Sequence, residues 1–334
     1  MTKPKIIMDV DTGTDDAVAL TLAMLGGEVD LLGVTTVNGN LELKLTTDNT
    51  LRVVDFCGKG EEIKVYSGCE YPLVSTLSPT SAQSLRPIPK REGVKVPFIM
   101  HADHLPLPET SLKAQEKRAV VWLIETVMAS QPGTVTIVAL GPLTNIAAAM
   151  RAEPAFASRL QEIVLMGGGD RIGNASAAAE FNIWADPEAA EIVLQSGCKI
   201  SLIPLDATHE AEVSAAQAAE IEAIGSKEAK FVAEVIRERI GGYSERDPEL
   251  AAKQTAPLHD ALALCYFLHP ECITKKIETV CHVDVSGGVC YGRTMVDRRA
   301  NLVMEEPNCT FALGADREWF LGWLMGILKK AAQG

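Results

Sequence analysis

Aromatic residues are scarce, at 5% of the 334-residue chain, and positive charge is outweighed, with 31 Lys plus Arg against 44 Asp plus Glu. A nucleic-acid surface needs a basic face for phosphates and, for single strands, aromatic platforms for bases, so both scarcities argue against DNA or RNA. The formal net charge of −13 suits a neutral small molecule or a divalent cation better than an anionic partner. No Cys-x-x-Cys pair occurs among the eight cysteines, several of which sit inside apolar runs, so reduced core thiols are expected rather than disulfides or a zinc site. No apolar run reaches about 18 residues, which excludes an obvious membrane-spanning helix. No signal-peptide pattern, internal repeat or low-complexity linker interrupts the chain, and a cytoplasmic protein with one domain over residues 1–334 is expected.

Hydrophobic residues, at 47%, are plentiful enough for a sizeable core. They fall in short runs: Lys5-Ile-Ile-Met-Asp9-Val, Leu31 to Val37, Thr134 to Leu140, Glu162 to Met166 and Lys199 to Leu205. Turn residues follow each run, and helical patterns follow most of them. Strand, loop and helix in alternation predict an α/β fold with a mostly parallel central sheet flanked by helices. In such sheets ligands bind beyond the C-terminal ends of the strands. Residues 75–115, rich in Ser, Pro and basic side chains, are expected to form a mobile flap. Residues around 225–257 are expected to be a helical segment bordering the site, with Gly241-Gly242 as a candidate hinge.

The first run ends in Asp9-Val-Asp11-Thr-Gly13-Thr-Asp15-Asp16. Asp9 and Asp11 are two apart on a strand and project to one side. Thr14 is a plausible N-cap, and Asp15 and Asp16 then fall in a first helical turn, where the helix dipole favours acids. Helix stabilisation accounts for one or two of these acids. Four carboxylates within eight residues repel one another, and a hard cation such as Ca²⁺ or Mg²⁺ explains the cluster better. An apolar strand followed by Asp-x-Asp also opens the haloacid-dehalogenase-type phosphatases, but those usually carry Thr or Val where this chain has Gly13.

Further motifs recur in order: Thr35-Thr-Val-Asn-Gly-Asn40, Leu140-Gly-Pro-Leu-Thr-Asn145, Val164-Leu-Met-Gly-Gly-Gly169, Gly173-Asn174, Ala179-Glu180-Phe-Asn182, Asp186-Pro-Glu-Ala-Ala190, Asp206-Ala-Thr-His209 and His259-Asp260. With the opening acids, this series resembles the inosine/uridine-preferring nucleoside hydrolases over nearly the whole chain. The resemblance implies the nucleoside hydrolase fold, with a Rossmann-like core, and hydrolysis of ribonucleosides to ribose and free base through an oxocarbenium-like transition state. It implies a Ca²⁺ held by Asp11, Asp16, Asp260 and the backbone carbonyl of Leu140. It makes Asp11 the general base toward a Ca²⁺-bound water, and His259 the acid serving the leaving base. Asp15, Asn40, Met166, Asn174, Glu180 and Asn182 would surround the ribose, with Glu180 and Asn182 directed at it from an extended segment. His101, Phe181 and Tyr243 would contact the base. Partners would be a ribonucleoside substrate and further copies of the chain, as a homodimer or homotetramer, with no nucleic acid and no membrane.

The flap motif departs from the family pattern, because His101-Ala-Asp103-His104-Leu-Pro106 lacks both usual glycines. His104 thereby becomes an additional candidate for the base. Arg239 and Arg246 are expected to be solvated, and His209 structural. A different class of function, a ribose- or nucleoside-binding protein without turnover, is disfavoured because a binder needs neither Asp11 nor His259.

Overall fold

The computed structural model describes residues 2–74, 101–299 and 305–333. Twelve strands occur among them: β1 (Lys5–Val10), β2 (Asp30–Thr36), β3 (Val65–Ser67), β4 (Val135–Ala139), β5 (Glu162–Met166), β6 (Ile200–Ile203), β7 (Glu212–Ser214), β8 (Thr255–Pro257), β9 (Ile273–Thr279), β10 (Cys281–Val283), β11 (Thr294–Val296) and β12 (Cys309–Ala315). Eight form one sheet in the order β3-β2-β1-β4-β5-β6-β12-β9. All its pairings are parallel except that of the edge strand β9 with β12. The five runs expected as strands coincide with β1, β2, β4, β5 and β6 to within a residue or two at each end.

Period-two side-chain alternation divides the apolar residues between the two faces of this sheet. Ile6, Met8 and Val10 of β1, Val138 of β4, and Val164 and Met166 of β5 join one core cluster. Ile7, Val135, Ile137, Ala139, Ile163 and Leu165 join the other. A strand buried on both faces has no solvent side, which is why these runs are continuously apolar. Fully burying each such side chain contributes about 1.5–3 kcal/mol. All eight cysteines are free thiols. No helix among the described residues is long and apolar enough to cross a membrane.

The helix Thr14–Gly26 follows β1 directly, and its buried face packs on the helices His259–Leu268 and Arg317–Ala331. Its N-cap is Gly13, one residue earlier than the Thr14 cap expected. The antiparallel pair β7–β8 closes the base of the excursion that contains the helices Ala215–Glu222, Lys227–Ser244 and Pro248–Lys253. Gly241 and Gly242 lie inside the helix Lys227–Ser244, which runs through them unbroken, so the hinge expected there is not seen. Of the flap expected over 75–115, residues 75–100 lie outside the described residues. The segment from 101 to 107 is irregular and pinned to the helix Leu43–Phe56: Asn49 bonds the Asp103 carbonyl and the Leu105 N–H, and Arg52 donates to the Leu107 carbonyl.

Candidate active site

Strand order reverses between β1 and β4, which opens a crevice beyond their C-terminal ends. Asp11 follows β1, Leu140 follows β4, Asn40 lies on the loop after β2, and Gly167 to Gly169 follow β5. The helix His259–Leu268 brings its first two residues to the same place from almost 250 residues away.

Four buried carboxylates, Asp11, Asp15, Asp16 and Asp260, line the crevice. Asp15, Asp16 and Asp260 each offer an oxygen within 4.8 Å of the others. The resemblance implies Asp11 with Asp16 and Asp260, so the tightest triad differs by one member. Asp11 is turned toward the β2 loop, where its Oδ2 accepts from the Asn40 backbone N–H at 2.6 Å. Its other oxygen, Oδ1, is buried with no hydrogen-bond partner. Asp16 accepts from the N–H groups of Asp11 and Gly13 and from the Asn40 side chain. The loops press close: a Cβ on Gly39 would lie 2.0 Å from Asp11 Oδ2, and one on Gly141 2.9 Å from Oδ1.

Burial pushes Asp16 up to about 7, helped by the charge of Asp15. It also pushes Asp11 and Asp260 well above the carboxylate range, Asp11 further by Asp16 and Asp260 further by Asp15. Two unit charges about 4 Å apart repel by roughly 4 kcal/mol at an effective dielectric near 20. The cluster is therefore poorly stabilised as bare anions. Behind it, Asp9 accepts from the Thr35 hydroxyl and the Asn145 amide, and burial raises it to about 7.

A second wall comes from residues 166–182. Glu180 is not part of an extended run with Asn182, as expected, but the N-cap of the short helix Phe181–Ala185. Its carboxylate accepts from the N–H groups of Gly168, Asn182 and Ile183, and burial raises it to about 7 despite them. Asn182, on the first turn, donates to the carbonyls of Leu140 and Met166 and touches the Met166 sulfur. Asn174 is exposed, and its Oδ1 accepts from the Phe181 N–H. Phe181 is half-buried and tilted against Trp184.

The third wall is a chain of hydrogen bonds. His259 shares one of 2.6 Å with the Tyr243 hydroxyl through Nε2 and one of 2.7 Å with the Thr208 hydroxyl through Nδ1. Burial holds His259 well below the usual histidine range, and Arg239 and His209 add to the effect. The His209 ring lies 5.7 Å from that of His259. His101 abuts the helix start, where the Thr14 N–H donates to its Nδ1, and burial lowers it to about 4. His104 instead faces Asp48 on the exterior.

Two residues escaped the sequence reading. Arg239, expected in solvent, is only 2% exposed. It is drawn inward by Asp15 and lies one helical turn before Tyr243, a spacing that already placed both on one helix face. Thr208 sits beside the His209 that drew notice within Asp206-Ala-Thr-His209, and it is Thr208 that bonds His259.

Comparison with known proteins finds relatives over nearly the whole chain. The family model described as inosine-uridine preferring nucleoside hydrolase matches residues 6–322. The pyrimidine-specific ribonucleoside hydrolase RihB of Escherichia coli is 36% identical over 327 residues, covering 96% of each chain. The inosine-uridine preferring nucleoside hydrolase of Leishmania major is 36% identical over 295 residues, covering 88% of each. Among solved structures, a purine-preferring ribonucleoside hydrolase from Gardnerella vaginalis superposes with a TM-score of 0.83 at 29% identity, over 98% of this chain and 99% of that one. A plant nucleoside hydrolase gives the same TM-score at 28% identity and the same coverage. The motifs along the sequence, the crevice they line and the match over nearly all the chain lead to one assignment: this protein belongs to the inosine-uridine preferring nucleoside hydrolase family.

Proposed function

We propose that this protein hydrolyses the N-glycosidic bond of ribonucleosides, releasing ribose and the free base, with Ca²⁺ as its metal. The observation that carries the reading is the enclosed acid cluster, in which Asp11 Oδ1 has no partner while Asp15, Asp16 and Asp260 converge. An all-oxygen, carboxylate-rich donor set fits a hard divalent cation. Asp11, Asp16, Asp260 and the Leu140 carbonyl would hold it. When bound, the ion makes a water acidic enough to attack near neutral pH.

Asp11 is the general base, taking the water's proton on the oxygen that lacks a partner. As the C1′–N bond breaks and a C1′–O bond forms, positive charge develops on the ribosyl ring. Asp15 and Glu180 stabilise that charge by proximity, and with Asn40, Asn174 and Asn182 they hold the ribose hydroxyls. Met166 supplies the apolar floor. The departing base needs a proton on its nitrogen. Both ring nitrogens of His259 are already engaged, so the Tyr243 hydroxyl is the outlet through which that proton reaches the base. His101 borders the same space and, with Phe181, would contact the base. The relatives' names span both base classes, pyrimidine-specific and purine-preferring, so ribose recognition is what this reading assigns most narrowly.

Incubation with inosine and uridine should release reducing sugar. Chelator should abolish the release and Ca²⁺ restore it. Absence of turnover on a panel of nucleosides, with ribose binding retained, would replace the hydrolase by a binding protein.

A further inference from the structure

Arg239 is the one buried Lys or Arg among the described residues, it reaches Asp15 in the acid crevice, and the chemistry proposed above gives it no role. Its Nη1 donates to Asp15 Oδ1 at 2.8 Å and to the Thr14 hydroxyl at 2.9 Å, while Nε donates to the Pro257 carbonyl at 3.0 Å. The guanidinium carbon stands 5.6 Å from the centre of the Tyr243 ring. These contacts join three separate elements: the start of the helix Thr14–Gly26, the helix Lys227–Ser244 and the strand β8, whose end leads through Leu258 into His259. The side chain is enclosed on all sides, at 2% exposure, so the arrangement is not a solvated surface pair.

We infer that Arg239 is a positioning residue for ribose recognition. It clamps Asp15 Oδ1 so that the second carboxylate oxygen is presented to a ribose hydroxyl, and it sets the distance between that carboxylate and the Tyr243–His259 pair. The inference rests on the reading of Asp15 as a ribose-holding group. Two features favour a clamp over simple filling of space. First, the guanidinium is a rigid planar fork whose N–H groups meet three acceptors on two sides at once, which the single ammonium of Lys cannot reproduce. Second, a carboxylate free to rotate would lose the fixed geometry on which a hydroxyl contact in the transition state depends, and a displacement of about 1 Å in such a group can reduce rate by roughly 100-fold. The clamp also ties sugar recognition to the leaving-group side, because the segment that bonds Nε is continuous with His259.

The test compares wild type, Arg239→Lys and Arg239→Met in kcat and KM for a ribonucleoside, in the inhibition constants of free ribose, 2-deoxyribose and 3-deoxyribose, and in Tm. Arg239→Lys should lose about tenfold in kcat/KM and Arg239→Met about 100-fold. In both, ribose should inhibit more weakly, and the preference for ribose over one of the deoxy sugars should shrink toward unity. A role confined to stability would lower Tm and leave that preference intact. Should Arg239→Met not fold, Arg239→Lys, which keeps the buried charge, carries the same comparison. A folded Arg239→Lys with wild-type kcat/KM, ribose inhibition and sugar preference overturns the clamp alone. A wild-type protein that neither hydrolyses nucleosides nor binds ribose overturns the hydrolase reading beneath it.

Discussion

The acid wall of the crevice, built on Asp11, Asp15, Asp16 and Asp260, and the opposite wall, built on Thr208, Tyr243 and His259, are both buried, yet burial leaves them in different conditions. On the acid side it gathers like charges, raises the carboxyls and leaves Asp11 Oδ1 without a partner. On the histidine side it drives His259 toward its neutral form, and a hydroxyl then meets each ring nitrogen. The first wall is incomplete without a cation, whereas the second is satisfied as it stands. A site for N-glycosidic cleavage uses both conditions. In the mechanism proposed above, carboxylates stabilise a ribosyl cation on one side, and the Tyr243–His259 hydrogen bond serves the departing base on the other. Arg239 reaches from one wall to the other, paired with Asp15 and lying against the Tyr243 ring.

The largest effect expected from upsetting this contrast is that of Asp11→Ala. Base, water site and metal ligand would fail together, and kcat should fall at least about a thousandfold. A variant with near wild-type kcat would remove Asp11 from the chemistry.

A second experiment uses the acid wall's titration. In the metal-free protein the folded Asp16 carboxyl, raised from 3.8 to about 7, takes up a proton that the unfolded chain binds only at lower pH. The stability from that proton is present below about pH 4 and is lost as pH rises through about 7. Protons and Ca²⁺ compete for the same oxygens, so the rise in Tm produced by Ca²⁺ should be larger at about pH 8 than at about pH 5.5. An equal rise at both pH values would contradict a carboxylate metal site.

On the opposite wall the effects should be smaller and should depend on the leaving group. His259→Ala is expected to reduce turnover of inosine or uridine about 100-fold but to spare p-nitrophenyl riboside, whose leaving group departs without a proton. Tyr243→Phe should follow the same pattern with a comparable loss of about 100-fold, since the hydroxyl that reaches the base is gone. Equal losses on both substrates would move the acid role elsewhere, with His101, whose ring also borders the crevice, next to be examined.

Much of the fold was legible because its central strands are buried on both faces, which writes them as uninterrupted apolar runs bounded by turn residues. The opening acids were legible because four like charges in eight residues need a reason beyond helix stability. The ends of elements were less so: Gly13 rather than Thr14 caps the helix, and Glu180 caps a helical turn where an extended segment was expected. In both places a side-chain carboxylate accepts nearby backbone N–H groups, Asp16 from Gly13 three residues before it and Glu180 from Asn182 and Ile183 after it, and local hydrogen bonding of that kind has no periodicity to read. Arg239 was misplaced for a related reason. A charged residue on a largely polar helix is usually solvated, and only the arrival of Asp15 and the Pro257 carbonyl from distant parts of the chain makes its burial favourable.

By itself the sequence determined the alternation of strands and helices, the cluster of acids at the end of β1 and the ordered motifs that define the family, since each is encoded within a few consecutive residues. Tertiary structure decided which carboxylates converge, that Asp260 joins them, that Thr208 and Tyr243 hold His259 between them, and that Arg239 turns inward. The physical reason is common to all four. Burial, Coulomb repulsion and hydrogen bonding act through a few ångströms of space, and the groups they connect here are separated by tens to hundreds of residues along the chain.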